Sequence, residues 1–120
     1  MEPIAKPALD EVLDQMWAKF LPQMEERIAT LESADVALAA GTLTIDQRAA
    51  ANAAAHKLAG VLGTFGLTKG TILAREAEII YSGEPDTDPE AAAQLRKITA
   101  QLSFMIQSRK QTHAGYTLEK

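Results

Sequence analysis

The chain has 120 residues, 47% of them hydrophobic and only 5% aromatic, with a formal net charge of −4 and no cysteine. That length suits one domain around one core, and the alanine-rich apolar content favours closely packed helices over wholesale disorder. The same figures argue against a basic stripe for nucleic acid and exclude disulfides and thiolate metal sites, and no apolar run approaches the ~18 residues needed to span a bilayer.

Leu9, Val12, Leu13, Met16, Trp17 and Phe20 fall at helix spacing. They predict a short helix over 8–20, after Pro7, with Trp17 and Phe20 on its packing stripe. Pro22 suits the first turn of a second helix over 22–40, where its missing N–H would be unpaired anyway. Met24, Ile28, Leu31 and Leu38 line one side of that helix, and Gly41 is its expected stop. Thr44 and Gln47 fit a capping box that opens a third helix over 45–64. Thr68 is the expected cap of a fourth helix over 68–82, with Ile72, Leu73, Ile79 and Ile80 as its apolar positions and Ser82-Gly83 as its end. Residues 84–87 read as a loop. Asp88-Pro89 then supplies a cap followed by proline at the first helical position. The last helix, over 89–113, presents Leu95, Ile98, Leu102, Met105 and Ile106 and is expected to end before Gly115.

Four longer helices with short connections predict an all-α, antiparallel up-down-up-down four-helix bundle with a short additional N-terminal helix. No repeat or linker divides the chain, so residues 1–120 read as a single domain. The first residues lack the charged-then-apolar layout of a signal peptide, which points to a cytoplasmic protein. The methionine start favours a free chain over a domain of a larger kinase.

The distinctive segment runs from Ala53 to Leu67 and carries His56 among small residues. At about 100° per residue, Gly60 sits about 40° and Gly63 about 20° from His56 around the helix. Asn52 and Ala53 lie on that side one turn earlier, whereas Leu58, Val61, Leu62 and Phe65 point to other sectors. Each glycine costs about 1 kcal/mol relative to alanine in a helix. Two on the histidine side therefore ask for a reason: clearance for an approaching partner, or close packing of a second helix. An unperturbed imidazole has a pKa of about 6.5, so the neutral ring is abundant near neutral pH and one nitrogen is nucleophilic without a strong base. Attack on a phosphoryl group needs in-line approach and charge compensation. Lys57, the nearest fixed cation, is a candidate for the second, although an ordinary surface lysine would look the same.

His56-Lys57-Leu58-Ala59-Gly60 followed by Gly63-Thr64-Phe65-Gly66-Leu67 resembles the histidine-containing phosphotransfer (HPt) domain of bacterial phosphorelays. The resemblance implies a four-helix bundle of about this length. It implies that His56 accepts a phosphoryl group from a receiver-domain aspartate and passes it to another receiver. Gly60 and Gly63 would give the receiver clearance, and Lys57 would match a basic position of part of the family. Glu78 would fall where members carry a polar residue that hydrogen-bonds the inner ring nitrogen. The expected partners are receiver domains of response regulators or a hybrid histidine kinase, and the expected state is a monomer. No cofactor of its own is implied, Mg²⁺ belonging to the receiver. Ala59 departs from the lysine many members carry, and Val61 and Leu62 stand where small residues are frequent.

Other chemistries find no support. Gly60, Gly63 and Gly66 are not followed by the Gly-Lys-Ser/Thr of a phosphate-binding loop and do not follow a strand. Two distant histidines without cysteine argue against zinc. His113, near the end of the last helix, suits the helix dipole better than a second phosphorylation site. The chain is too short for an ATP-binding kinase domain. Two alternatives stay open: a helical adaptor that binds a receiver or kinase without being phosphorylated, and a dimerisation bundle whose glycine face is permanently covered.

Overall fold

The computed structural model describes residues 5–83 and 89–119, with side chains over 11–83 and 89–109. The expected loop over 84–87 and the Asp88 cap lie outside the described residues, as do the side chains of Leu9 and His113. Among the described residues four helices follow one another: α1 (Ala5–Ala40), α2 (Ile45–Thr64), α3 (Thr68–Tyr81) and α4 (Pro89–Glu119). They form an antiparallel four-helix bundle in which α1 packs on α2 and α4, and α3 packs on the same two helices. With 36 residues, α1 runs about 54 Å and spans nearly the whole 57 Å length of the molecule. The shorter α2 and α3 cover part of that length.

The two helices expected over 8–20 and 22–40 are one continuous helix with Pro22 inside it. Tertiary packing overrides the proline. Trp17, Met24, Leu31 and Leu38 are all buried at seven-residue intervals, so one seam runs through position 22 to the core on both sides. Pro22 itself faces solvent, where a missing backbone hydrogen bond is least costly. At the other end, α4 continues past Gly115 to Glu119. Among the described residues the glycines with positive φ are Gly41 and Gly66, the left-handed conformation with which a glycine closes a helix.

Those two glycines close α1 and α2 in the same way. Gly41 N–H donates to Leu38 O and Thr42 N–H to Ala37 O, while Gly66 N–H donates to Gly63 O and Leu67 N–H to Leu62 O. Each pair satisfies carbonyls that the helix end leaves open. The capping box is reciprocal: Gln47 N–H donates to Thr44 Oγ1 at 3.0 Å and Thr44 N–H to Gln47 Oε1 at 2.8 Å. For α3 the cap is Leu67 instead of Thr68, and no side chain caps it.

The buried face of α3 matches the expected one in part: Leu73 and Ile80 are partly buried and pack against the core. Ile72 and Ile79 are exposed, at 54% and 68%, and the helix buries Gly70, Ala74, Ala77 and Tyr81 instead. The buried residues of α2, which packs on α3, are Ala51, Ala54, Ala55, Leu58, Ala59 and Leu62. Small residues on both helices let the backbones approach, and a branched isoleucine would hold them apart. At Gly70 an added Cβ would lie 3.0 Å from Leu62 Cδ1.

One polar cluster is buried in the bundle. Tyr81 Oη donates to Asp35 Oδ1 at 2.5 Å and Thr99 Oγ1 donates to Asp35 Oδ2 at 2.6 Å, joining α3 and α4 to α1. At the end where α2 closes, Trp17 and Phe20 meet Phe65 edge to face. Arg109 lies over the Trp17 ring and pairs with Asp14.

Candidate functional site

Three polar residues of α2, Arg48, Asn52 and His56, stand at four-residue intervals in an alanine-rich run. That spacing stacks them on one side of the helix, and α3 runs beside it. Arg48 Nη1 donates to the carbonyl oxygens of Ile80, Tyr81 and Gly83, closing the C-terminus of α3. Asn52 Nδ2 donates to Glu78 O at 2.8 Å. One turn on, His56 Nδ1 lies 2.9 Å from Glu78 Oε2. The structure thus brings His56 and Glu78 together across 22 residues of sequence.

An ionised carboxylate only accepts hydrogen bonds. In the neutral ring the shared proton therefore sits on Nδ1, and the Nε2 lone pair is free. The His56 side chain is 69% exposed and Glu78 26%, so the ring stands in water while its anchor is partly covered. Such an imidazole can act as a nucleophile at Nε2, and the carboxylate at Nδ1 balances positive charge developing on the ring.

The two glycines differ in surroundings. A Cβ added at Gly60 would meet nothing within 4 Å, so packing inside the chain does not ask for glycine there. A Cβ at Gly63 would come within 3.3 Å of Thr71 Oγ1. That hydroxyl donates to Ala59 O at 3.1 Å, so Gly63 and Thr71 set how closely α2 and α3 approach. Lys57 is exposed, about 100° around the helix from His56 on the side away from α3. Ala59, where the resemblance places a cation in many members, is buried against α3 at 3% exposure. Leu62 is buried and Val61 half-buried, away from the ring.

Beyond Glu78, the last turn of α3 is anchored by Tyr81. Burial holds the Asp35 carboxyl above its ordinary range, against the opposing effects of the Thr99 and Tyr81 hydrogen bonds and the Arg96 charge. Burial, the hydrogen bond to Asp35 and the Asp35 charge push the Tyr81 phenol far above its usual range. Asn52 and Arg48 as tethers, and the Asp35–Tyr81–Thr99 cluster, were not evident from sequence patterning. The Arg48-Asn52-His56 stripe in an alanine run carried a signal for the first two. Asp35 and Thr99, 64 residues apart, carried none.

Among the described residues, no helix is long and apolar enough to cross a membrane, and no cluster of three or more His, Cys, Asp or Glu could hold a metal ion. A family profile described as "Hpt domain" matches residues 15–104, a stretch that contains α2, α3 and every residue of this site. Protein RcaC of Microchaete diplosiphon is 33% identical over 90 residues, which is 75% of this chain. The chain spans 14% of the length of that relative. No solved structure gives a significant match.

Proposed function

Because the chain belongs to the Hpt domain family, the histidine-containing phosphotransfer domains, we propose that His56 is its phosphoacceptor, receiving a phosphoryl group from a receiver-domain aspartate and passing it to another receiver. The observation that carries the reading is the exposed ring whose Nδ1 is engaged by Glu78 at 2.9 Å. The Nε2 lone pair attacks the phosphorus of the aspartyl phosphate in line. The N–P bond forms as the P–O bond to the aspartate breaks, and the bonding pair leaves with the receiver's carboxylate. The proton stays on Nδ1, and the ring's gained positive charge faces the Glu78 carboxylate. Reversal of the same steps on a second receiver returns the ring to neutrality.

Little is asked of this chain beyond a positioned nucleophile, since phosphoryl transfer depends chiefly on alignment and charge stabilisation. Lys57 offsets phosphate charge from the side opposite Glu78. Gly60 leaves space for the receiver. Mg²⁺ and the acidic pocket come with the receiver, and the contact is modest and transient. Incubation with a phosphorylated receiver tests the reading. Acid-labile, alkali-stable label is expected on the wild type and absent from His56→Gln. Label that persists in the variant removes His56 from the reaction. Receiver binding that survives His56→Ala, with phosphohistidine never formed, would make the protein an adaptor.

A further inference from the structure

Asn52 and His56 take hold of the same residue of α3. The main-chain carbonyl of Glu78 accepts the helical bond from Ser82 N–H at 3.0 Å and a second bond from Asn52 Nδ2 at 2.8 Å. The carboxylate of Glu78 meets His56 Nδ1. The other polar tethers between α2 and α3 lie to either side of this point: Arg48 at the C-terminus of α3, and Thr71 on the Ala59 carbonyl. At the level of the ring, the described bonds across the two helices are those of Asn52 and His56 themselves. Asn52 is half-buried, and asparagine is a poorer helix former than the alanines around it. A donor in this place does what alanine cannot: it fixes the height of the Glu78 main chain against the turn that carries His56.

A glutamate side chain has three rotatable bonds and can hold a carboxylate at many distances from its backbone. The ring is anchored only if that backbone is itself fixed, in the way outer partners orient histidine ligands at metal centres. We infer that Asn52 is a positioning residue for phosphoryl transfer. Through the Glu78 main chain it keeps the carboxylate on Nδ1–H and so keeps the Nε2 lone pair facing the phosphoryl donor. The consequence for transfer rests on His56 being the phosphoacceptor; the consequence for the ring does not.

The test uses the full chain as wild type, Asn52→Ala, Asn52→Asp, Glu78→Ala and the Asn52→Ala/Glu78→Ala double variant. Nitrogen-15 NMR of the His56 ring reports the tautomer, and labelling is followed with phosphoramidate and with a phosphorylated receiver. The wild type is expected to hold the proton on Nδ1. Asn52→Ala and Asn52→Asp shift it toward Nε2 and lower the labelling rate about fivefold, the worth of one net hydrogen bond, while the KM for the receiver stays unchanged. In the Glu78→Ala background the Asn52 substitution adds no further loss. A wild-type tautomer population in Asn52→Ala overturns the inference, and so does an equal loss of rate in both backgrounds, which would mark a merely structural role. If the wild type takes no label at all, the reading of His56 fails, and the NMR comparison still decides the role of Asn52.

Discussion

Replacing Gly60 by alanine separates what the fold needs from what a partner needs. A methyl group built at Gly60 meets nothing within 4 Å, so no clash offsets the gain in helix propensity. That gain is about 1 kcal/mol. For a chain of 120 residues the unfolding entropy is about 0.25 kcal/mol/K, and the melting temperature should rise by about 4 °C. The variant is thus expected to be more stable than the wild type and slower in exchange with a receiver, while labelling by phosphoramidate stays unchanged because a small donor needs no clearance. Gly60→Leu keeps the fold and enlarges the defect to about tenfold or more, since reacting groups held even about 1 Å out of place lose much of their rate. Thermal denaturation followed by circular dichroism and a timed phosphotransfer assay provide the two readings. A lower melting temperature in Gly60→Ala would show an internal contact at that position. Wild-type receiver exchange in both variants would show that the glycine serves no partner.

Gly70 should behave in the opposite way. Its added Cβ would sit 3.0 Å from Leu62 Cδ1 and 3.2 Å from Met105 Sδ, so overpacking of about 1–3 kcal/mol outweighs the propensity gain of about 1 kcal/mol, and Gly70→Ala is expected to lose up to about 2 kcal/mol, read as a lower urea midpoint. A stabilised variant would contradict the close α2–α3 approach. Arg48→Met keeps the apolar stem but removes the bonds to Ile80, Tyr81 and Gly83. A loss of about 1–2 kcal/mol and faster amide exchange in the last turn of α3 are expected; unchanged exchange would refute the cap. Burial raises the Asp35 carboxyl, so the folded state binds that proton more tightly than the unfolded chain. The contribution of this group is therefore most favourable below the ordinary carboxylate range and is lost as pH rises through the raised value. Urea midpoints of the wild type should fall relative to those of Asp35→Asn over that interval; a relative rise would show that hydrogen bonds outweigh burial at this site.

Much of the architecture was legible because it depends on local chemistry or on periodicity along one helix. The Thr44–Gln47 box, the stop at Gly41 and the limits of α2 follow from which backbone groups a helix end leaves open, and nearby side chains answer that. The apolar stripes of α1 and α4 and the bare surface around His56 follow from the helical repeat alone. Other features exist only once helices meet. Pro22 reads as a helix start until the Trp17–Met24–Leu31–Leu38 seam is seen to bury both sides of it in one core. Ile72 and Ile79 read as core until the alanines of α2 and α3 close the gap that they would have filled. The pairing of His56 with Glu78 depends on the vertical register of two helices, which Thr71 and Gly63, Asn52 and Arg48 set in three dimensions. A one-dimensional pattern gives each helix its face, but only packing gives two faces their height relative to one another.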